Sequence, residues 1–289
     1  MAEREHSFDY GVAFCRNLGF LSDAEQERLR RARVAIAGLG GTGGAQAHAL
    51  ARMGIGNFTL ADPDTFELAN FNRQIGASMQ TLGRRKTEVA AEQIKGINPE
   101  ADLRLLNEGV TAETIDAFLR DADVVVDSLD FYCFGERMML YRSARERGLW
   151  VLTAPPLGFG CTLLVFDPKG MRFEDYFGFA AGMSERDQVV ALVAGIAPRP
   201  FMMRYLDAAV ISTGGRRLPS VGAAPFIIAG IIATEVVGLL TGKGRRTAVP
   251  VVHQYDALLR RFRRHTYRFG MRGPLQRLKR ILIARKLPI

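Results

Sequence analysis

Along the first 170 residues the pattern of apolar and polar positions changes period repeatedly, and each change marks an element. LSDAEQERLRRA at 21–32 opens with Ser22 and carries Glu25 three residues later, the capping-box signature of a short helix. RVAIA at 33–37 is an unbroken apolar run ended by the glycine cluster Gly38–Gly44, which predicts a buried strand. Helical spacing follows at 45–53, then NFTLA at 57–61 predicts a second strand that ends at Asp62. The same alternation continues with helices at 83–97, 112–119 and 136–147 and strands at 101–106, 123–128 and 149–153. FGCTLLVF at 159–166 reads as one more strand. Strands that are apolar on both faces and alternate with helices predict a doubly wound, mainly parallel α/β sheet of the Rossmann-like kind.

Beyond residue 170 the period is lost. Residues 171–221 carry aromatic residues and prolines with no regular spacing, and are expected to form a crossover segment that covers the substrate entrance. Ala223–Leu240 is apolar enough to resemble a membrane span. Pro225, Glu235 and the glycines at 230 and 238 favour a buried helix instead, so no transmembrane segment is expected. LQRLKRILIAR near the end places Leu275, Leu278, Ile281 and Leu282 on one helical face, with most of the basic residues opposite. The predicted organisation is an N-terminal arm and helix (1–32), a nucleotide-binding core (33–170), the crossover (171–221), a helix and strand of the same domain (222–259) and a basic amphipathic tail (260–289).

Composition narrows the class without choosing a function. The chain has 289 residues, 48% hydrophobic and 24% charged, which excludes a disordered or fibrous protein. Its three cysteines, Cys15, Cys133 and Cys161, form no C-x-x-C pair, so neither a disulfide framework nor a four-cysteine zinc site is expected, and a cytoplasmic location follows. The first residues lack the apolar run of a signal peptide. The net charge of +9 is unevenly placed. Residues 260–289 hold eleven Lys/Arg and no acid, leaving 28 basic against 30 acidic residues elsewhere. A nucleic acid or an anionic surface is therefore a candidate partner for those thirty residues only.

The candidate chemistry begins at VAIAGLGGTGG, where Gly38, Gly40 and Gly43 stand in G-x-G-x-x-G between a strand and a helix. Such a turn lets the backbone approach a phosphate whose charge meets the helix N-terminus. Asp62, nineteen residues after Gly43, is placed to accept from ribose hydroxyls. These features fit NAD, FAD or ATP equally. ADPDTFELANFNRQ at 61–74 then gathers Asp62, Asp64, Asn70, Asn72, Arg73 and Gln74 in one loop, and Lys86 opens the following helix. Two cations beside a nucleotide loop suit a triphosphate whose pyrophosphate must leave. VVVDSLDFY puts Asp127 and Asp130 at the carboxyl end of a strand, where a carboxylate can hold Mg²⁺. His48, His253 and His265 have no recognisable catalytic partner, and Cys133 and Cys161 read as packing residues.

In this order and spacing the motifs resemble the ThiF/MoeB/HesA family of ubiquitin-activating-enzyme-like adenylyltransferases, over roughly residues 12–168 and the helix at 222–242. The resemblance implies ATP-dependent activation of a carboxylate to an acyl adenylate with release of pyrophosphate, the carboxylate being the C-terminus of a small ubiquitin-like protein or peptide. It implies that Gly40 and Gly41 approach the phosphates and Asp62 the ribose. Asn70, Arg73 and Lys86 would contact the triphosphate, Asp130 would ligate Mg²⁺, and Arg16 would reach the partner subunit's ATP in a homodimer. Two alternatives are activation of threonylcarbamoyl-adenosine on tRNA and a NAD-binding oxidoreductase. The sequence departs from the family where Phe131 replaces the usual asparagine after the magnesium aspartate, where Arg137 lies further along than usual, and in having no cysteine pairs for zinc.

Overall fold

The computed structural model describes residues 7–180, 182–207 and 219–286. Eight strands form one sheet: β1 (Arg33–Ala37), β2 (Asn57–Ala61), β3 (Asp102–Leu106), β4 (Val124–Asp127), β5 (Trp150–Thr153), β6 (Gly160–Phe166), β7 (Val251–Asp256) and β8 (Arg261–Thr266). Their order is β3-β2-β1-β4-β5-β6-β7-β8. The first five are parallel, and β6, β7 and β8 extend the sheet antiparallel. In register, Ala37 at the end of β1 faces Ala61 of β2 on one side and Asp127 of β4 on the other. Successive strands are added on one side of β1 as far as β3 and on the other side from β4 onward, so the crevice of a doubly wound sheet opens above these three strand ends.

The helices are α1 (Tyr10–Phe14), α2 (Asp23–Arg31), α3 (Gly41–Arg52), α4 (Lys86–Ile97), α5 (Ile115–Leu119), α6 (Phe134–Glu146), α7 (Phe173–Phe177), α8 (Glu185–Ile196), α9 (Ala223–Thr241) and α10 (Pro274–Lys286). They cover both faces of the sheet. Val34 and Ile36 of β1 point into a cluster with Leu50 of α3 and Ile228 and Ile232 of α9. Ala35 and Ala37 point the other way, into a cluster with Phe118 of α5, Leu140 of α6 and Tyr176 of α7. This two-residue alternation with apolar residues on both sides is why the strands read as continuous apolar runs.

Several boundaries differ from the sequence expectation. The helix after the glycine cluster begins at Gly41 rather than residue 45, so the glycines form its first turn. The helix expected from residue 83 begins at Lys86, because Gly83 has φ +79° and closes a turn ahead of it. The expected crossover contains α7, α8 and a 3₁₀ turn at Phe201–Arg204, whose aromatic residues pack on β6; residues 208–218 lie outside the described part. α9 is buried on one face only. Ala224, Ile228, Ile232 and Val236 pack toward α3, while Phe226 is exposed. The largest correction concerns the basic tail. Residues 261–266 are the edge strand of the sheet, paired with β7 from Val251–Thr266 to Asp256–Arg261. Arginines at 261, 263 and 264 stand on both faces of that strand and hide its alternation.

Candidate functional site

The glycine loop joins β1 to α3, and its glycines answer to different constraints. Gly38 has φ +88°, donates its N–H to Ala61 O at 2.8 Å, and a Cβ there would lie 2.4 Å from Ser128 O. At Gly43 a Cβ would lie 1.8 Å from Gly38 O. The protein's own packing therefore forbids a side chain at either position. Gly40 and Gly41 are different. A Cβ at Gly40 would meet nothing nearer than Gln74 Nε2 at 3.8 Å, and one at Gly41 would meet Arg73 Cγ at 3.5 Å, both ordinary contacts. Gly40 is also the N-cap of α3 and no side chain caps that terminus. Open space beside uncapped helix N–H groups fits an anionic ligand group.

Asp62, at the end of β2, is 5% exposed. Its Oδ2 accepts from Leu39 N–H at 2.6 Å and its Oδ1 from Asp64 N–H at 2.9 Å, which ties the β2 end to the glycine loop. Burial raises its pKa, opposed by the Lys86 charge and these two N–H bonds. Lys86, the first residue of α4, is equally buried. Its Nζ lies 2.7 Å from Asp64 Oδ2 and 3.8 Å from Asp62 Oδ1. Asp62, Asp64 and Lys86 thus form one charged cluster with a net negative charge, in which Asp64 is the exposed member.

The loop 61–74 is organised by its own polar side chains. Asn70 Oδ1 accepts from Glu67 N–H at 3.0 Å, and Asn70 O accepts from Arg73 N–H and Gln74 N–H. Arg73 Nη1 donates to Ala69 O at 2.8 Å and Asn72 Oδ1 at 3.0 Å, which uses two of its five N–H donors. Asn72 Nδ2 donates to Ser220 O at 2.9 Å, docking the loop onto the approach to α9. Gln74 is buried, and its Oε1 has no hydrogen-bond partner among the described residues. A buried orphan amide oxygen costs about 1–3 kcal/mol. The amide nitrogen of the same side chain is the atom nearest the open space at Gly40.

At the end of β4 the two aspartates part company. Asp127 is buried. Its Oδ2 accepts from Arg137 Nε at 2.9 Å and Tyr141 OH at 3.0 Å, and its Oδ1 from Leu129 N–H at 3.0 Å. Asp127 is committed to this network and is not available to a metal. Asp130 is exposed, with Oδ1 accepting from Phe131 N–H at 2.8 Å. Arg137 also donates through Nη2 to Leu129 O at 2.7 Å and Asp130 O at 3.0 Å. A buried guanidinium therefore fixes the backbone from which Asp130 projects. No group of three or more His, Cys, Asp or Glu among the described residues could enclose a metal ion. Asp130 fits Mg²⁺ as a single hard carboxylate donor, a pattern that leaves the remaining positions to water and phosphate oxygens.

The structure thus gathers Gly38, Gly40, Gly41, Gly43, Asp62, Asp64, Asn70, Arg73, Gln74, Lys86 and Asp130 around the ends of β1, β2 and β4. It does not gather Arg16. That residue stands in the 3₁₀ turn Cys15–Asn17, and the adjacent Asn17 Nδ2 donates to Met53 O beyond the far end of α3. α3 has twelve residues, so Arg16 lies about 18 Å along the helix axis from the glycine loop of its own chain. Gln46 was not anticipated from the sequence. It is fully buried on α3, accepts from Ser128 Oγ, and its Nε2 is without a partner among the described residues. A lone glutamine in the alanine-rich AQAHALAR was the available signal. Cys161 is buried and its thiol is pushed up to about 12.

Residues 14–270 match the ThiF family. Among curated proteins, the tRNA threonylcarbamoyladenosine dehydratase of Haemophilus influenzae is 41% identical over 104 residues, 36% of this chain and 40% of that protein. The sulfur carrier protein ThiS adenylyltransferase of Escherichia coli is 33% identical over 143 residues, 50% of this chain and 56% of that protein. The chain therefore spans about half the length of the curated relatives it matches. Among solved structures, E. coli MccB with ATP superposes with a TM-score of 0.67 at 18% identity, covering 94% of this chain and 74% of MccB, a likeness of fold.

Proposed function

The chain belongs to the ThiF family, and on that premise we propose that it is an ATP-dependent adenylyltransferase. Its substrate in this reading is a carboxylate, the C-terminus of a small ubiquitin-like protein or peptide. One carboxylate oxygen attacks the α-phosphorus of ATP, the bond from that phosphorus to the β-bridging oxygen breaks, and the electron pair leaves with pyrophosphate. The observation that carries the reading is the open, uncapped space at Gly40 and Gly41, flanked by Arg73 and by the cluster of Lys86 with Asp62. A dinucleotide loop needs the glycines and the acid; the two cations answer to a triphosphate.

The protein's work is positioning and charge neutralisation. Arg73, turned from Ala69 O toward the first turn of α3, and Lys86, released from Asp64, each supply about 2–4 kcal/mol to the developing charge. Asp62 holds the ribose, and Asn70 and Gln74 line the phosphates. Mg²⁺, held by Asp130, would neutralise phosphate charge when bound. Arg16 acts across a homodimer, whose interface includes the exposed Val12, Leu18 and Phe20 beside it and Phe226 on α9. The setting is cytoplasmic. Pyrophosphate exchange into ATP, dependent on a carboxylate-ended partner, tests the reading. Exchange that persists undiminished in Asp130→Ala and Lys86→Ala would contradict it.

A second reading, activation of a threonylcarbamoyl carboxylate on tRNA, is favoured by the arginines of β8 and by the dehydratase relative. ATP-dependent loss of water from threonylcarbamoyl-tRNA would select it.

A further inference from the structure

An ordinary surface helix turns its apolar stripe inward. α10 does the reverse. Its half-buried residues are Gln276, Lys279, Arg280, Ile283 and Ala284; Lys279 Nζ donates to Pro198 O at 2.8 Å, and Arg186 Nη2 donates to Ala284 O at 2.9 Å. Leu275, Leu278, Ile281 and Leu282 are left 71%, 55%, 51% and 48% exposed. At about 100° per residue these four occupy one arc of about 120° on the outer side. Phe269, just ahead of the helix, is also exposed. The exposed Arg277 flanks the stripe about 40° beyond Ile281, and the exposed Arg285 stands at its C-terminal end within the same arc, in a thirty-residue stretch with eleven basic residues and no acid.

What covers the stripe must accept aliphatic side chains and positive charge together. RNA would meet the charge but has no use for a leucine row. A second copy would set two like-charged stripes against each other. α10 packs on α8, on the sheet face opposite to α3 and α9, so it is also remote from the apolar residues assigned above to the dimer. The interface of an anionic bilayer satisfies both demands. Its headgroups pair with the arginines and its acyl boundary takes the leucines. We propose that α10 is a membrane-surface helix that seats this protein on anionic lipid, lying in the plane of the interface with Leu275, Leu278, Ile281 and Leu282 inserted.

Co-sedimentation of the full chain with phosphatidylcholine vesicles, with and without phosphatidylglycerol, tests it. Binding is expected to the anionic vesicles alone, to weaken several-fold with added salt, and to fall about tenfold or more in Leu278→Asp/Leu282→Asp. Because both positions face solvent, the double variant should keep the wild-type unfolding midpoint. If it does not fold, Leu275→Trp supplies a second readout: its added fluorescence, measured over that of Trp150, should shift to the blue on anionic vesicles. The proposal is overturned if the chain ignores anionic vesicles, or if the double variant binds them as wild type. It is equally overturned if the double substitution converts a dimer to a monomer, which would make the stripe a copy-to-copy interface, or abolishes RNA binding while vesicle binding stays absent.

Discussion

Arg137 and Asp127 form a buried ion pair, Nε to Oδ2 at 2.9 Å, and through it α6 holds the loop that presents Asp130. Both members are almost fully removed from water, and the pair is supported by further bonds from Arg137 to Leu129 O and Asp130 O and to the Asp127 carboxylate from Tyr141 OH and Leu129 N–H. Asp127→Ala leaves the guanidinium buried and unpaired and should cost about 3–5 kcal/mol of stability. Tyr141→Phe removes one hydrogen bond to the same carboxylate and should cost about 0.5–1.5 kcal/mol. Urea unfolding of the two variants checks the ranking.

The glycine loop separates folding from binding. Gly43→Ala places a Cβ 1.8 Å from Gly38 O and should prevent native folding, whereas Gly40→Ala meets only an ordinary contact at 3.8 Å. The Gly40 variant should keep the wild-type unfolding midpoint yet bind ATP about tenfold or more weakly, a loss of about 1.4 kcal/mol by calorimetry. Equal damage to folding by both substitutions would remove the argument that Gly40 is kept for a ligand.

Glu25 links the N-terminus of α2 to the loop after α9. It accepts from Ser22 N–H at 2.7 Å and pairs with Lys243 at 2.9 Å. The Ser22 N–H first, then Lys243, lower its pKa from 4.5 to about 2. A carboxylate whose pKa is lower in the folded state stabilises the fold above its unfolded value, and that contribution disappears as pH falls through the folded value. The stability gap between wild type and Glu25→Gln should therefore be constant above pH 4.5 and close between 4.5 and about 2. A gap unchanged at pH 2 would show that the ion pair and cap do not act through this charge.

Arg16 stands beyond the far end of α3 from the glycine loop of its own chain, so any role at the phosphates must be exercised on a partner. Inactive Arg16→Ala and Lys86→Ala chains, mixed in equal amounts and allowed to exchange subunits, should regain about a quarter of wild-type activity through mixed dimers with one intact site. No recovery after demonstrated exchange would place Arg16 outside the reaction.

The sequence was most informative where physical constraints were local. Apolar runs bounded by glycine and aspartate marked β1, β2 and β4, and Ser22 with Glu25 marked α2, because those signals are written within a few residues. The positions of the glycine turn, Asp62 and Asp130 were readable for the same reason, since each follows a strand end. What escaped depends on contacts between distant segments. Asp127 and Asp130 look alike in VVVDSLDFY, and only the approach of Arg137 and Tyr141 from α6 makes the first structural and leaves the second exposed. β8 was read as tail because RFRRHT gains strand character from pairing with β7. Which face α10 buries could not be read at all: the sequence shows the leucine row, but only the packing on α8 leaves that row exposed and turns Lys279 and Ile283 inward.

In the proposed reaction ATP is split between its first and second phosphorus atoms. The direct measurement is product analysis after incubating the full chain with magnesium, a carboxylate-ended partner and ATP labelled at the α-phosphorus. The label should appear in AMP or in an acyl adenylate, with pyrophosphate released in equal amount. Label found only in ADP with free phosphate, or no turnover together with tight binding of a nicotinamide dinucleotide, would contradict the account.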